Sequence, residues 1–219
     1  MSSRIEEARD YLAAARLYVI SADSDPSWQA EVLCQAIDGG AGVVQLRHKA
    51  AAPADLLDAA RRVARHATAH GAVFIVNDTP ELVEASGADG VHAGQDAGTT
   101  DAVRVRLPEG SLVGRSTHSL AQAQEAAAGG ADYIGVGPVH ATPTKPGRAA
   151  VGLGLVTEVA RAVDIPWFAI GGLDRDNLTE VIDAGAQRVA VVRAVAAAAD
   201  PGRAAAELLA QLQRVEATA

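Results

Sequence analysis

Cysteine occurs once in this sequence, at Cys34, and lysine twice, at Lys49 and Lys145. A single cysteine excludes an intrachain disulfide, and the simplest setting for such a chain is a reducing cytoplasm. There is no run of eighteen apolar residues, which excludes a membrane-spanning helix. No tract rich in Pro, Gly or Ser divides the 219 residues. One domain over 1–219 is therefore expected, with 1–15 as an N-terminal helical extension. The start of the chain carries Arg4, Glu6, Glu7, Arg9 and Asp10 with no apolar segment behind a basic stretch, and it does not read as a signal peptide. The net charge is −8. An acidic surface repels nucleic acid and anionic membranes, so any anion site must be a local concentration of positive groups.

What the chain has is hydrophobicity, 49% of its residues, and repetition. Gly40-Ala41-Gly42-Val43-Val44, Gly87-Ala88-Asp89-Gly90-Val91, Gly130-Ala131-Asp132-Tyr133-Ile134 and Gly185-Ala186-Gln187-Arg188-Val189 are variants of one phrase. Each follows an Ala-rich helical stretch and opens a short apolar run. Glycine accepts the left-handed conformation just past a helix end, so each phrase reads as helix stop and strand start. The phrases are spaced at about twice the length of one βα unit, which places a further strand between successive phrases. Strands are expected at 17–21, 43–47, 73–77, 90–94, 112–117, 133–138, 167–171 and 188–193. Eight strands alternating with helices imply a parallel sheet, and their even spacing favours a closed (β/α)₈ barrel, an α/β fold of the TIM type.

Active sites of such barrels lie at the C-terminal strand ends. Strand two ends Gln45-Leu46-Arg47-His48-Lys49. Alternation sends Gln45, Arg47 and Lys49 the same way. They form either a satisfied polar layer or an anion site, and two cations among the three favour the anion site. Strand three ends Asn77-Asp78-Thr79-Pro80, where Thr79 reads as an N-cap with Pro80 at the first helical position. Strand four ends His92-Ala93-Gly94-Gln95-Asp96. Asp78 and Asp96, at adjacent strand ends, are of the kind that hold Mg²⁺ together with phosphate oxygens.

In strand five, Ser119 with Gln122 reads as a capping box, which leaves Ser116 and His118 on one face without a structural task. The longest irregular stretch, 138–148, carries Thr142, Thr144, Lys145 and Arg148 among Pro143 and Pro146. It is a stiff, donor-rich loop. Both lysines fall at expected mouth positions, where compact ammonium groups suit phosphate. Gly171-Gly172 and Val192-Arg193 close strands seven and eight, where barrels frequently form a phosphate site.

These residues resemble the thiamine-phosphate synthase family from strand one to the final helix. The resemblance rests on Gln45-Leu46-Arg47-His48-Lys49, Asn77-Asp78, Gly87-Ala88-Asp89-Gly90-Val91-His92, Gly94-Gln95 and Gly114-Arg115-Ser116-Thr117-His118-Ser119. It continues through Gly137-Pro138, Thr142-Pro143-Thr144-Lys145 and Ala169-Ile170-Gly171-Gly172. It implies a transferase that joins a hydroxymethylpyrimidine diphosphate to a thiazole phosphate, giving thiamine monophosphate and pyrophosphate.

The resemblance also implies roles. Gln45, Arg47, Lys49, Asn77, Ser116 and Lys145 would line the pyrimidine and diphosphate site, with Leu46 and His48 in the same stretch. Thr142, Pro143, Thr144, Gly172, Val192 and Arg193 would surround the thiazole phosphate. Arg47, Lys49, Ser116 and Lys145 would carry the catalysis, and Asp78 would bind Mg²⁺. The family's usual second metal aspartate falls at Ala97, with Asp96 one place earlier. The expected partners are the phosphorylated substrates, and a homo-oligomer is compatible with the sequence. A thiazole tautomerase and a non-catalytic phosphate-binding barrel are the alternative readings.

Overall fold

The computed structural model describes residues 2–48, 50–142 and 149–216. Eight parallel strands close in sequence order. They are β1 (Leu17–Ile20), β2 (Val43–Leu46), β3 (Val73–Asn77), β4 (Gly90–Ala93), β5 (Leu112–Thr117), β6 (Tyr133–Val136), β7 (Trp167–Ile170) and β8 (Val189–Val191). The last strand returns to the first through the pairing Leu17↔Val189. The outer helices are α2 (Pro26–Asp38), α3 (Pro53–His70), α4 (Glu81–Ser86), α5 (Thr100–Arg104), α6 (Leu120–Ala128), α7 (Gly152–Ala162), α8 (Leu178–Asp183), α9 (Arg193–Ala196) and α10 (Pro201–Glu216); α1 (Ser2–Ala14) precedes the barrel. Among the described residues no helix is long and apolar enough to cross a membrane.

The repeated phrase has one structural meaning. Gly40, Gly87, Gly130 and Gly185 all take positive φ, at 93°, 80°, 79° and 108°. The alanine after each donates its N–H to a carbonyl five residues back: Ala41 to Ala36, Ala88 to Val83, Ala131 to Ala126 and Ala186 to Val181. That is the Schellman helix stop, repeated at the base of every second strand. The expected strands are all present; β3 and β5 have the expected bounds, and the other six end one or two residues early, β8 also starting one residue later. β6 stops at Val136 because Pro138 has no N–H to offer a ladder.

Alternation along each strand divides the interior in two. Val19, Val44, Leu46, Phe74, Val76, Val91, Val113, Ile134 and Val191 face the helices. Tyr18, Ile20, Val43, Val73, Ile75, Leu112, Tyr133, Phe168 and Ala190 fill the lumen. Ala8 and Leu12 of α1 belong to the lumen cluster, so α1 plugs the barrel floor. Two aspartates of the repeated phrase hold that plug. Asp89 accepts from the Phe74 N–H at 2.8 Å and from Arg4 at 2.8 and 2.9 Å. Asp132 accepts from the Val113 N–H at 2.8 Å and pairs with Arg9 at 3.2 Å. Burial pushes the Asp89 carboxyl up, against the pull of the Phe74 N–H and Arg4.

Two expected caps differ in detail. Thr79 does not cap α4: its hydroxyl donates back to the Asn77 carbonyl at 2.8 Å, and Pro80 stands before the helix in αR conformation without a side-chain cap. Ser119 caps α6 by accepting from Gln122 N–H at 3.3 Å. Gln122 reaches one residue further than a capping box requires, to the His118 N–H at 2.8 Å.

Candidate active site

A cavity of about 370 Å³ opens at the C-terminal strand ends, within the size range of small-molecule sites. The barrel brings eight of the sequence-expected residues to its wall: Gln45, Arg47, Asn77, Ser116, Thr142, Gly172, Val192 and Arg193. Lys49, Pro143, Thr144 and Lys145 lie outside the described residues. Leu46 turns into the helix-facing core, and the same alternation that brings in Gln45 and Arg47 sends it there. His48 does not line the cavity either. Its Nδ1 accepts the backbone N–H groups of Ala50 and Ala51, at 3.2 and 2.9 Å, and so shapes the loop into α3.

Arg47 is held through its backbone. Its N–H donates to Ser21 Oγ at 2.9 Å, and its carbonyl accepts from Ser21 Oγ at 3.2 Å and Gln29 Nε2 at 2.9 Å. The guanidinium is thereby presented to the cavity with Asp23 at 3.5 Å. Gln45 is 1% exposed, and its Nε2 is buried without a partner among the described residues. An idle amide donor in a cavity wall is costly unless a ligand accepts from it.

Opposite them runs a chain of polar groups. Tyr18 Oη lies 2.9 Å from Tyr133 Oη, which lies 3.2 Å from His92 Nδ1. His92 Nε2 lies 2.9 Å from Ser116 Oγ. One proton arrangement leaves no buried hydroxyl idle: Tyr18 donates to Tyr133, Tyr133 donates to His92 Nδ1, and Nε2–H donates to Ser116. In that arrangement the Ser116 O–H is free to donate into the cavity. Burial drives the Tyr18 and Tyr133 phenols far above their ordinary range, so both remain hydroxyls. The Tyr133 ring fits because position 114 is glycine; a Cβ there would stand 2.1 Å from Tyr133 Cζ.

The carboxylates differ in setting. Asp78 takes the left-handed region at φ 51°. Its Oδ1 accepts from Gly94 N–H at 2.9 Å and its Oδ2 from Asn77 Nδ2 at 2.8 Å. Asp96 is exposed on a 3₁₀ turn, Gln95–Ala97, while Ala97 packs against the core. Arg115 pins that turn by donating from Nη2 to the Gly98 carbonyl at 2.7 Å. Burial lowers the pKa of Arg115, and the charges of Asp78 and Glu125 oppose the shift.

The other wall is made by the loops after β6, β7 and β8. Gly171 and Gly172 have φ of 106° and 68°. A Cβ on Gly171 would stand 2.4 Å from Pro138 Cα, and one on Gly172 2.9 Å from the Ala141 carbonyl oxygen. The two glycines therefore let the β7 loop lie directly against the β6 loop. Asn177 locks the same loop, donating to the Gly172 carbonyl at 2.8 Å and accepting from Asp174 N–H at 3.0 Å. Val192 precedes the short α9 and Arg193 opens it, with the Arg193 side chain exposed at the rim.

Sequence reasoning missed Ser21, Gln29, His92, Tyr133 and Asn177. His92 carried a signal, being a polar residue two places from Gly90 on the lumen-facing parity of β4. Of the other four, Ser21 acts from the neighbouring strand end, Gln29 from α2, Tyr133 from β6 and Asn177 from within its own loop.

Comparison with known proteins agrees with this geometry. The model of the family described as thiamine monophosphate synthase matches residues 17–195. Over 208 residues the chain is 49% identical to a thiamine-phosphate synthase of Gloeobacter violaceus, covering 95% of this chain and 60% of that protein. Over 208 residues it is 46% identical to a thiamine-phosphate synthase of Mycobacterium sp. (strain KMS), covering 90% and 92%. The chain thus spans about six-tenths of the first relative and nearly all of the second. A solved thiamine phosphate pyrophosphorylase from Pyrococcus furiosus superposes with a TM-score of 0.84 at 32% identity, covering 94% of this chain and 98% of that one. A match that runs through all eight strands, and through Gln45, Ser116 and Gly172, makes this chain a member of the thiamine monophosphate synthase family.

Proposed function

We propose that this chain is a thiamine-phosphate synthase: it transfers the pyrimidinylmethyl group of 4-amino-2-methyl-5-hydroxymethylpyrimidine diphosphate to the ring nitrogen of thiazole phosphate, or of its 2-carboxylated form. The observation that carries the reading is a single cavity with two unlike walls. Gln45, Arg47, Asn77 and Ser116 line one side and offer donors to a heterocycle and its diphosphate, and Thr142, Gly172, Val192 and Arg193 line the side that would take the second phosphate. Two phosphorylated molecules meeting in one cavity match a condensation, whereas an isomerase needs one.

The C–O bond from the methylene carbon to the diphosphate breaks, and its electron pair leaves with the oxygen. The thiazole nitrogen then supplies its lone pair to the methylene carbon; from the 2-carboxylated form the C2–carboxylate bond also breaks, CO₂ leaves, and the electron pair left on C2 takes a proton from water. That nitrogen carries no proton, so the step needs no general base. The barrier lies in separating pyrophosphate from a pyrimidine cation, which fixed donors and cations lower by electrostatic preorganisation. In this reading Arg47, with Lys49 and Lys145, neutralises the departing diphosphate, and Ser116, oriented by His92, donates to the pyrimidine.

Mg²⁺ is the expected cofactor. Asp78 fits it: both carboxylate oxygens are oriented by one hydrogen bond each, and each keeps a lone pair for a hard cation. Asp96, on the neighbouring turn, would act through water. When bound, the ion would offset diphosphate charge.

The test is an assay of pyrophosphate and thiamine monophosphate after incubation with both substrates and Mg²⁺. Thiamine monophosphate formed in step with pyrophosphate supports the synthase. Binding of thiazole phosphate without pyrophosphate release would overturn it in favour of a binding barrel, and thiazole isomerisation alone in favour of a tautomerase.

A further inference from the structure

At the barrel end away from the cavity, three side chains converge that the proposed reaction does not use. His66 and His70 stand one turn apart on the last turns of α3, on one face of the helix. Their rings stack with centroids 4.2 Å apart at 25°. Asp38, the last residue of α2, places Oδ1 2.7 Å from His66 Nε2 and 3.8 Å from His70 Nε2. One ligand atom from each of the three lies within 4.8 Å of the others, the one such group of three His, Cys, Asp or Glu side chains among the described residues.

The His70 tautomer follows from its surroundings. Nδ1 lies 2.9 Å from the His66 carbonyl oxygen. A carbonyl only accepts, so Nδ1 carries the hydrogen and Nε2 of the neutral ring carries the lone pair. That lone pair faces a carboxylate oxygen across 3.8 Å, too far for a hydrogen bond. Two electron-rich atoms with a gap between them are an arrangement that a cation relieves. A histidine held through its other ring nitrogen by a backbone carbonyl is also the usual setting of a metal-ligating imidazole.

We propose that Asp38, His66 and His70 form a binding site for a divalent transition cation of the zinc or nickel class, bridging α2 and α3. Two imidazole nitrogens and one carboxylate oxygen suit that class and not Mg²⁺, which takes oxygen ligands. On binding, the hydrogen that His66 Nε2 shares with Asp38 moves to Nδ1, so the neutral ring keeps one hydrogen and Nε2 becomes a ligand. Water completes the coordination, for the Asp38 and His70 side chains are about half exposed. Arg62 and Arg65 line the recess beside His66, together with Cys34. The charge of Arg62 is offset by its ion pair with Glu31, and Cys34 is not among the side chains whose ligand atoms converge.

The experiment is calorimetric titration of the full chain with ZnCl₂ in chelator-free buffer containing millimolar Mg²⁺, beside thermal melts with and without Zn²⁺. One equivalent should bind despite the Mg²⁺, and the melting temperature should rise with Zn²⁺ concentration, since the unfolded chain lacks the assembled site. His66→Ala, His70→Ala and Asp38→Asn should each weaken binding at least about tenfold, the lower end of what losing even an outer-sphere partner costs. The double variant His66→Ala/His70→Ala should lose the Zn²⁺-dependent shift while its circular dichroism matches the parent. Failure to bind one equivalent, displacement of Zn²⁺ by Mg²⁺, or undiminished binding in the double variant would overturn the proposal. If the double variant misfolds, Asp38→Asn decides, and unchanged affinity there overturns it equally.

Discussion

Tyr133→Phe removes one oxygen atom from the centre of the barrel, and its consequences can be worked through. Tyr133 is fully buried and Tyr18 is 2% exposed. The lost hydroxyl bonds Tyr18 Oη at 2.9 Å and His92 Nδ1 at 3.2 Å. Removing it orphans a buried phenol, which costs about 2 kcal/mol, and deletes the hydrogen bond to His92 Nδ1, which costs about 1 kcal/mol. A loss of about 3 kcal/mol lowers the melting temperature of a chain this size by roughly 6–12 °C. Tyr18→Phe alone should cost less, since Tyr133 keeps His92 as a partner. The double variant should be no less stable than Tyr133→Phe, because taking away both partners of a buried hydrogen bond removes the orphan as well. Urea unfolding of the four proteins closes the cycle. Additive losses would refute the hydrogen-bonded pair and leave two independently buried phenols.

Alkaline unfolding should expose the same pair. Burial holds both folded-state phenols above their unfolded value of about 10, so the folded chain binds more protons there, and stability should fall as pH rises beyond about 10 by up to about 1.4 kcal/mol per pH unit for each tyrosine; the Tyr18→Phe/Tyr133→Phe protein should show a flatter profile. Gln29→Leu releases the Arg47 carbonyl and should lower kcat/KM about tenfold with an unchanged circular dichroism spectrum, whereas equal kinetics would mean that Ser21 alone holds Arg47. Gly172→Ala should raise KM for thiazole phosphate more than it lowers kcat, because its Cβ would meet the β6 loop, and a purely thermal defect would contradict that. Arg4→Ala leaves the Asp89 carboxylate with one backbone partner and should cost about 2 kcal/mol in urea, the usual penalty reduced for the partial exposure of Arg4, with KM untouched.

The barrel was legible because it is written in local signals. The Gly-Ala phrase stops a helix by hydrogen bonds five residues long, and strand parity places Gln45 and Arg47 together without knowledge of the rest of the chain. The departures from expectation arise where a contiguous motif is taken as uniform. Leu46 and His48 share a stretch with Gln45 and Arg47, yet alternation sends Leu46 outward, and the strand has ended before His48. Thr79 looked like a cap because its sequence neighbours suit one, but Asn77 offers a nearer carbonyl. The supports of the site were illegible for a different reason. Gln29 reaches Arg47 from 18 residues away and Tyr133 reaches Tyr18 across 115. Such pairs depend on the register of strands that no short window contains.

The plug at the barrel floor carries a consequence for the order of folding. Arg4 meets Asp89 across 85 residues and Arg9 meets Asp132 across 123. The helix at the start of the chain therefore cannot find its anchors until the sixth strand exists. During synthesis α1 waits until Asp132 has been made, and β7 and β8 have still to complete the wall above the floor it closes. Long-range closures of this kind slow folding, because loop entropy must be lost before any contact compensates it. Substitution at Arg4 or Arg9 should accordingly show mainly in the rate of unfolding, the mark of an interaction that forms after the folding barrier has been crossed.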